Sequence, residues 1–337
     1  MAAASWFPSK PLGSFQKYAD PICNALDFKH PRDRFRIKDF YLLNLTTDPI
    51  FPDQGAFKKV FFCVTLGLIA GEFTVHVALA SKIDCVVFKK EKRVLTLLKG
   101  VSETLQPLLI EQEGPFEYMI TDLFNQGSLF DFLEKEICPY GDPILDLMAY
   151  QIVCAVRQCH ARGVILRDLK LENILVDQVG YNSFKVCLID FGLAFIVAED
   201  DESESLATCG SPHYICPETV IEIKTAHRAL PADPARDAWA LGVVLHAMAN
   251  GNLPGEEQKV GNAVLGISLF PEVKWPLGTF GNEIKDLLYS KRANRPSLHS
   301  IEDRMRVILS QTAKNESFSF WLCQKVYRAV VDCLWPS

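Results

Sequence analysis

Hydrophobic and polar positions change their period about a third of the way along the chain. From Phe40 the pattern is strand-like: Phe40–Leu45, Phe57–Leu66 and Phe73–Ile83 are rich in β-branched and aromatic residues. A helix is expected over Val87–Leu98, where Leu95 and Leu98 follow Glu91 at spacings of four and seven and so share its side. Leu105–Ile110 and Tyr118–Leu123 read as two further strands, parted by a turn at Gly114-Pro115. Beyond about residue 125 the text becomes helix-rich, which predicts a division into two parts there. Leu145–Arg162 is an amphipathic helix with Leu147, Ile152, Ala155, Val156 and Cys159 on its apolar positions. Ile174–Val176 and Val186–Ile189 read as short buried strands around a turn at Gly180–Ser183. In the last segment, Ser317–Ser337, Phe320, Cys323, Tyr327, Val330 and Leu334 recur at three and four, which predicts a helix docked on its own domain.

Composition narrows the class. With 337 residues and 49% apolar content a sizeable core is easy to build. A net charge of −6 gives no nucleic-acid footprint, and the acidic excess is partly local, at Glu199–Glu204. No apolar stretch is long enough for a membrane span, and the opening MAAASWFPSKPLGSF does not read as a signal peptide. Eleven cysteines without CxxC spacing predict reduced, mostly buried thiols in a cytosolic or nuclear protein. Residues 1–37, with Pro8, Pro11, Pro21 and Pro31 and the start of a basic run at Arg32–Lys38, read as a solvated lead-in. Nothing in the pattern speaks to oligomeric state.

Candidate chemistry gathers between Gly163 and Gly192. Arg167, Asp168, Lys170, Asn173 and Asp190 stand at the ends of the two short strands, where loops present side chains to a cleft. Two carboxylates, an amide and a lysine suit a magnesium–phosphate site, because Mg²⁺ takes one or two protein oxygens and completes its shell with phosphate and water. The run Leu166-Arg-Asp-Leu-Lys-Leu-Glu-Asn173, followed by Asp190-Phe-Gly192, resembles the catalytic loop and Asp-Phe-Gly motif of eukaryotic protein kinases. GSPHYICPE, ending at Glu218, resembles the substrate-docking loop of the same family, with Cys216 where alanine is usual, and is similar to the calmodulin-kinase-like Ser/Thr branches. The resemblance implies an α+β, two-lobed kinase fold: an extension over 1–37, a small β-rich lobe over about 38–124, a larger helical lobe over about 125–310, and a tail over 311–337. It implies transfer of the γ-phosphoryl group of ATP to Ser/Thr hydroxyls of protein substrates, with Mg²⁺. The alternative is a pseudokinase scaffold.

Carried over residue by residue, the resemblance makes Asp168 the group that accepts or orients the substrate hydroxyl proton and Lys170 the one that stabilises the transferred phosphoryl. Asn173 and Asp190 hold magnesium. Gly55, Val60, Ala80, Lys82, Glu91, Thr121, Asp122, Leu123, Phe124 and Leu175 fall to the nucleotide. Among them Ala80 packs on the adenine, Lys82 holds the phosphates and pairs with Glu91, Thr121 is the gatekeeper, and Asp122, Leu123 and Phe124 form the hinge. Ala78-Leu79-Ala80 offers a rival register without a lysine, and Glu91 also reads as one charge among Lys89, Lys90, Lys92 and Arg93. Asp237 is implied to anchor the catalytic loop, Arg295 to pair with Glu218, and His160 to be a core residue. Lys170 and Ser211 mark the Ser/Thr class.

Three departures stand out. Leu166 replaces a histidine and should fill an apolar stack with Phe191. In the loop that would read GxGxxGxV only Gly55 survives, with Asp53 and Lys58 at the other glycine positions, and a plain hairpin turn explains a lone glycine as well. Glu91 follows Lys82 by only nine positions, short for the family. An arginine at the Arg167 position usually pairs with a phosphorylated residue of the activation segment. Ala207 stands where that residue is expected, beside Thr208 and Ser205. The plainer reading of Glu199–Glu204 is a solvated loop, and the alternative is a substitute for phosphate. Activity is expected not to need phosphorylation at Thr208.

Overall fold

The computed structural model of the chain describes residues 35–37, 40–43, 59–66, 73–135, 143–180, 183–206, 209–226, 231–254, 279–289 and 292–315. Strand-forming text comes first. β1 (Phe35–Ile37), β2 (Phe40–Leu43), β3 (Lys59–Leu66) and β4 (Phe73–Lys82) lead into helix α1 (Val86–Leu97), and β5 (Leu109–Glu113) and β6 (Phe116–Asp122) follow it. They form a six-stranded antiparallel sheet in the order β1-β2-β3-β4-β6-β5. The strand expected at Leu105–Ile110 begins later, at Leu109. Pro107 has no N–H to give a ladder, and the residues before it turn to the other lobe: the Leu105 amide donates to the Leu188 carbonyl at 2.9 Å, and the Leu188 amide to that of Glu103 at 2.8 Å.

Strand β4 divides its side chains between two clusters, as the two-residue period requires. Val77 and Leu79 join the main core with Met119 of β6 and Phe88, Val94 and Leu95 of α1. Ala78 and Ala80 face the other way, with Cys63, Tyr118 and Ile120. Helix α1 has no side-chain cap at Cys85 and no acidic residue in its first turn, so its burial of Phe88, Val94 and Leu95 in the core holds it.

The larger lobe opens with β7 (Gly127–Ser128) and α2 (Leu129–Glu134). Ser128 and Asp131 make a reciprocal capping box, Ser128 Oγ accepting from the Asp131 amide at 3.1 Å and Asp131 Oδ2 from the Ser128 amide at 3.2 Å. Next come α3 (Pro143–Ala161), β8 (Val164–Ile165), β9 (Ile174–Gly180), β10 (Ser183–Leu188) and β11 (Phe195–Ile196). α4 (Glu202–Ser205), α5 (Pro217–Ala226), α6 (Pro234–Asn250), α7 (Gly281–Tyr289) and α8 (Leu298–Asn315) complete the described chain. α3 runs through the centre with Met148, Ile152, Val153, Ala155, Val156 and Cys159 buried. Its buried Gln151 is satisfied at both ends, donating to the Phe184 carbonyl at 3.0 Å and accepting from the Val186 amide at 3.1 Å. That pins β10, and through it β9, beneath the site.

Short connections tie the lobes together. The Asn125 amide donates to Asp177 Oδ1 at 3.1 Å, and the Gln126 amide to the Val176 carbonyl at 3.0 Å. Seven cysteines among the described residues are free thiols. No helix among the described residues is long and apolar enough to cross a membrane. The helix expected over Ser317–Ser337, most of the lead-in, and Asp53, Gly55 and Lys58 lie outside the described residues.

Candidate active site

The catalytic loop is hung from one buried carboxylate. Asp237, on the first turns of α6 and only 1% exposed, accepts from the Leu166 amide at 2.7 Å with Oδ2 and from the Arg167 amide at 2.8 Å with Oδ1. His160 Nε2 lies 2.7 Å from the same Oδ2, so the histidine serves the anchor rather than the chemistry. Two donated amides need a buried acceptor, and a carboxylate supplies one without any ladder. So held, Arg167 takes a left-handed backbone, φ 64°, and Asp190 across the site does the same at 61°. Among the described residues these are the two non-glycine positions with such a backbone, and sparsely populated conformations of this kind gather at functional sites.

Asp168 is the centre of the polar cluster. Its Oδ1 accepts from Ser211 Oγ at 2.8 Å, and its Oδ2 from Lys170 Nζ at 2.8 Å and Asn173 Nδ2 at 3.2 Å. Lys170 Nζ also donates to Ser211 Oγ at 3.0 Å. Asn173 Nδ2 donates to the Asp168 carbonyl at 3.0 Å, which leaves the amide oxygen as the group that can serve a cation. Loop and segment approach so closely that a Cβ on Gly210 would stand 2.8 Å from the Arg167 carbonyl oxygen, and Gly210 itself has φ 105°. Only glycine fits there.

Leu166 and Phe191, expected to share an apolar stack, are both buried, 7% and 2% exposed in the same core, so leucine fills the space given to it. Leu175 is buried in β9, Thr121 is 3% exposed at the end of β6, and Phe124 is buried with Leu123 half-buried beside it. Asp122 is exposed, with its carboxylate 3.8 Å from His76 Nδ1. Val60 pairs in register with Leu79. Arg295 meets Glu218 at 3.0 Å, donates to the Ala235 carbonyl at 2.5 Å and lies 5.4 Å from the centre of the Trp239 ring.

Lys82 and Glu91 are not brought together. Lys82 is exposed at the end of β4, in register with Phe116 and on the face of Ala78 and Ala80. Thr121 is in register with Val77, on the opposite face, the one that meets α1. Glu91 is fully buried on that helix. Among the described residues no ion pair joins Lys82 to Glu91. The period of two decides this: Lys82 follows Ala80, and the rival pair Ala78 and Ala80 has the same parity. Ser81 is the buried residue of this stretch on the helix side, in register with Glu117, and it is Lys92 of α1 that meets Glu117, at 2.5 Å.

The acidic run is largely exposed, as expected, but Glu199, Asp200 and Glu204 are each paired with a base. Arg167 donates from Nη2 to Glu204 Oε1 at 2.7 Å, from Nη1 to the Glu204 carbonyl at 2.5 Å and from Nε to the Leu193 carbonyl at 2.8 Å. Lys90 pairs with Asp200 at 2.5 Å, and the Arg93 guanidinium holds Glu199 with Nε 2.9 and 3.0 Å from its two oxygens. The hydrogen bond to Arg93 holds the Glu199 carboxyl below its ordinary value. Alternating charge on α1 was visible in the sequence, but not which acids it would meet. The first turn of α1 also rests on the Asp-Phe-Gly glycine: a Cβ on Gly192 would overlap Val87 Cγ1.

The chain matches the protein kinase domain family over residues 55–304. It is 24% identical over 279 residues to the SNF1-related protein kinase catalytic subunit alpha KIN12 of Arabidopsis thaliana, covering 79% of this chain and 50% of that one. It is 29% identical over 280 residues to Protein kinase 2 of Dictyostelium discoideum, covering 77% and 53%. To the cell cycle serine/threonine-protein kinase CDC5/MSD2 of Saccharomyces cerevisiae it is 30% identical over 225 residues, covering 64% and 30%. The chain thus spans about half or less of the length of these relatives. A catalytic loop hung from a helix carboxylate, an aspartate ringed by lysine, asparagine and serine, and a family match across both lobes lead to one conclusion: the chain belongs to the protein kinase domain family.

Proposed function

We propose that the chain transfers the γ-phosphoryl group of ATP to Ser/Thr hydroxyls of protein substrates. The observation that carries this reading is the triangle of Asp168, Lys170 and Ser211. The Asp168 carboxylate already accepts a hydroxyl hydrogen bond at 2.8 Å, and the Lys170 ammonium stands beside both partners. A substrate hydroxyl in the same place would be oriented by Asp168 and relieved of its proton there, while Lys170 offsets the charge on the phosphoryl oxygens. The Asn173 amide oxygen and the Asp190 carboxylate are hard oxygen donors that fit Mg²⁺, with phosphate oxygens supplying further ligands. Bound there, Mg²⁺ would neutralise phosphate charge. Thr121, Leu123, Phe124 and Leu175 form the nucleotide side of the proposal. Buried free thiols favour a reducing compartment, the cytosol or nucleus.

The test is Mg²⁺-dependent phosphate transfer from ATP by the purified chain to a generic protein substrate. Asp168→Asn should lower the rate by about 10²–10⁴-fold. Equal incorporation by the parent and by Asp190→Asn would remove the reading. A second reading, a scaffold that keeps the fold without efficient turnover, is favoured by one observation: Lys82 lies on the sheet face away from Glu91. Nucleotide binding without transfer would select it.

A further inference from the structure

Activation segments in kinase-like folds must be fixed against the catalytic loop before substrate can be positioned, and a phosphate facing an arginine is one way to do it. Here the arginine is already occupied. The Arg167 side chain is 1% exposed, and among the described residues its hydrogen-bond partners belong to the segment that follows Gly192: the Leu193 carbonyl, the Glu204 carbonyl and the Glu204 carboxylate. The guanidinium also lies 5.9 Å from the centre of the Phe195 ring. Glu204 is held to this task from its own side. It lies in α4, whose start is capped by Asp201 Oδ1 accepting from the Glu204 amide at 2.9 Å. At the other end of α4 the Ala232 amide donates to the Ser205 carbonyl and to Ser205 Oγ, both at 3.0 Å.

The same run reaches the small lobe. Asp200 accepts from the Ile196 amide at 2.6 Å and pairs with Lys90, while Glu199 takes Arg93. One acidic stretch therefore joins the residue preceding Asp168 to the helix that carries Glu91.

We propose that Glu204 is a positioning residue for the phosphoryl transfer proposed above, acting through Arg167, and that Glu199 and Asp200 tie α1 to the same segment, so that this chain's activation segment is set without phosphorylation. The inference rests on the kinase reading. A carboxylate is weaker than a phosphate for this purpose, with less charge and one oxygen fewer. The chain compensates with the additional ties at Lys90 and Arg93. Glu204 contributes by completing the bonds of a charge that is otherwise removed from water, since Glu204 itself is 43% exposed and would not need Arg167.

The experiment uses the full chain, treated with phosphatase and shown to be unphosphorylated by mass spectrometry. Two quantities are read: the rate of transfer from Mg·ATP, and hydrogen exchange across residues 193–206. The phosphatase-treated parent should keep its rate, and Thr208→Ala should match it. Glu204→Gln should lower kcat by about tenfold with the KM for ATP little changed, as expected for loss of one charge-assisted bond that acts on the catalytic loop and not on the nucleotide. Glu204→Asp should recover part of that loss. Exchange across 193–206 should quicken in Glu204→Gln. Loss of activity on phosphatase treatment, or Glu204→Gln with parental rate and protection, would overturn the inference. If the parent transfers no phosphate before or after treatment, the kinase reading has failed. The exchange arm then judges the tie alone, with unchanged protection in Glu204→Gln overturning it and lost protection supporting it.

Discussion

Lys92 of α1 meets Glu117 of β6 at 2.5 Å, so the ion pair that joins this helix to the sheet has its base on the helix and its acid on the strand. Glu117 is in register with Ser81, and Lys82, one residue on, turns to the other face. A one-residue step in a strand exchanges every inward for every outward side chain. This is why a lysine at the position the sequence suggests does not stand opposite Glu91.

Lys82→Met should therefore change ATP affinity by no more than about threefold, a size typical of an exposed charge. Lys92→Met should instead lower stability by about 1 kcal/mol, because its pair is largely buried and Glu117 would lose its partner. Titration with a fluorescent nucleotide and urea unfolding give the two numbers. A tenfold or larger loss of nucleotide affinity in Lys82→Met would show that the lysine does reach the phosphates.

Asp237 holds two backbone amides and the His160 ring in a buried place. Asp237→Ala would strand those amides, with a cost of about 2–5 kcal/mol from unsatisfied buried donors. Urea unfolding of the variant should move accordingly. His160→Ala should cost clearly less, because both amides keep their acceptor. Equal losses in the two would mean that the histidine, not the carboxylate, carries the loop.

Val87 and Gly192 are packed so closely that a Cβ at residue 192 would overlap Val87 Cγ1 and force one of them to shift. Gly192→Ala should destabilise by about 1–3 kcal/mol, as overpacking does. Val87→Ala in the same chain should return most of that loss, because it removes the opposing methyl groups. Thermal unfolding of the two single variants and the double variant measures the coupling, and simple additivity would refute the contact.

Burial pushes the thiols of Cys63 and Cys154 up to about 12. It raises those of Cys159, Cys187 and Cys216 as well. A thiol titrates to its reactive thiolate only as pH rises through its pKa, so these five should stay protonated at pH 8 and resist alkylation in the folded chain. Of the two half-buried cysteines, Cys85 and Cys209, burial raises the Cys209 thiol, so Cys85 should be modified first among the described cysteines. Peptide mapping after brief iodoacetamide treatment reads the order, and early modification of Cys159 or Cys187 would contradict their burial.

The sequence by itself determined the family and named most of the residues that cluster in the large lobe. Asp168, Lys170, Asn173 and Ser211 are close in sequence or belong to one recognisable loop, and the structure gathers them around one carboxylate. Asp237, Arg295 and Glu218 were legible for the same reason, since each stands in a motif with a fixed partner. The helix α1 and the strands beside it also followed from periodicity, except where Pro107 delayed β5. Tertiary structure alone decided which face of β4 meets α1. A strand buried on both faces, with His76–Ser81 buried throughout, carries no alternation to read. It also decided the partners of the acidic run. Glu204 lies 37 positions from Arg167 and Glu199 lies 106 from Arg93. Charge is written in the sequence, but which charges meet is set only when the lobes and the segment between them pack.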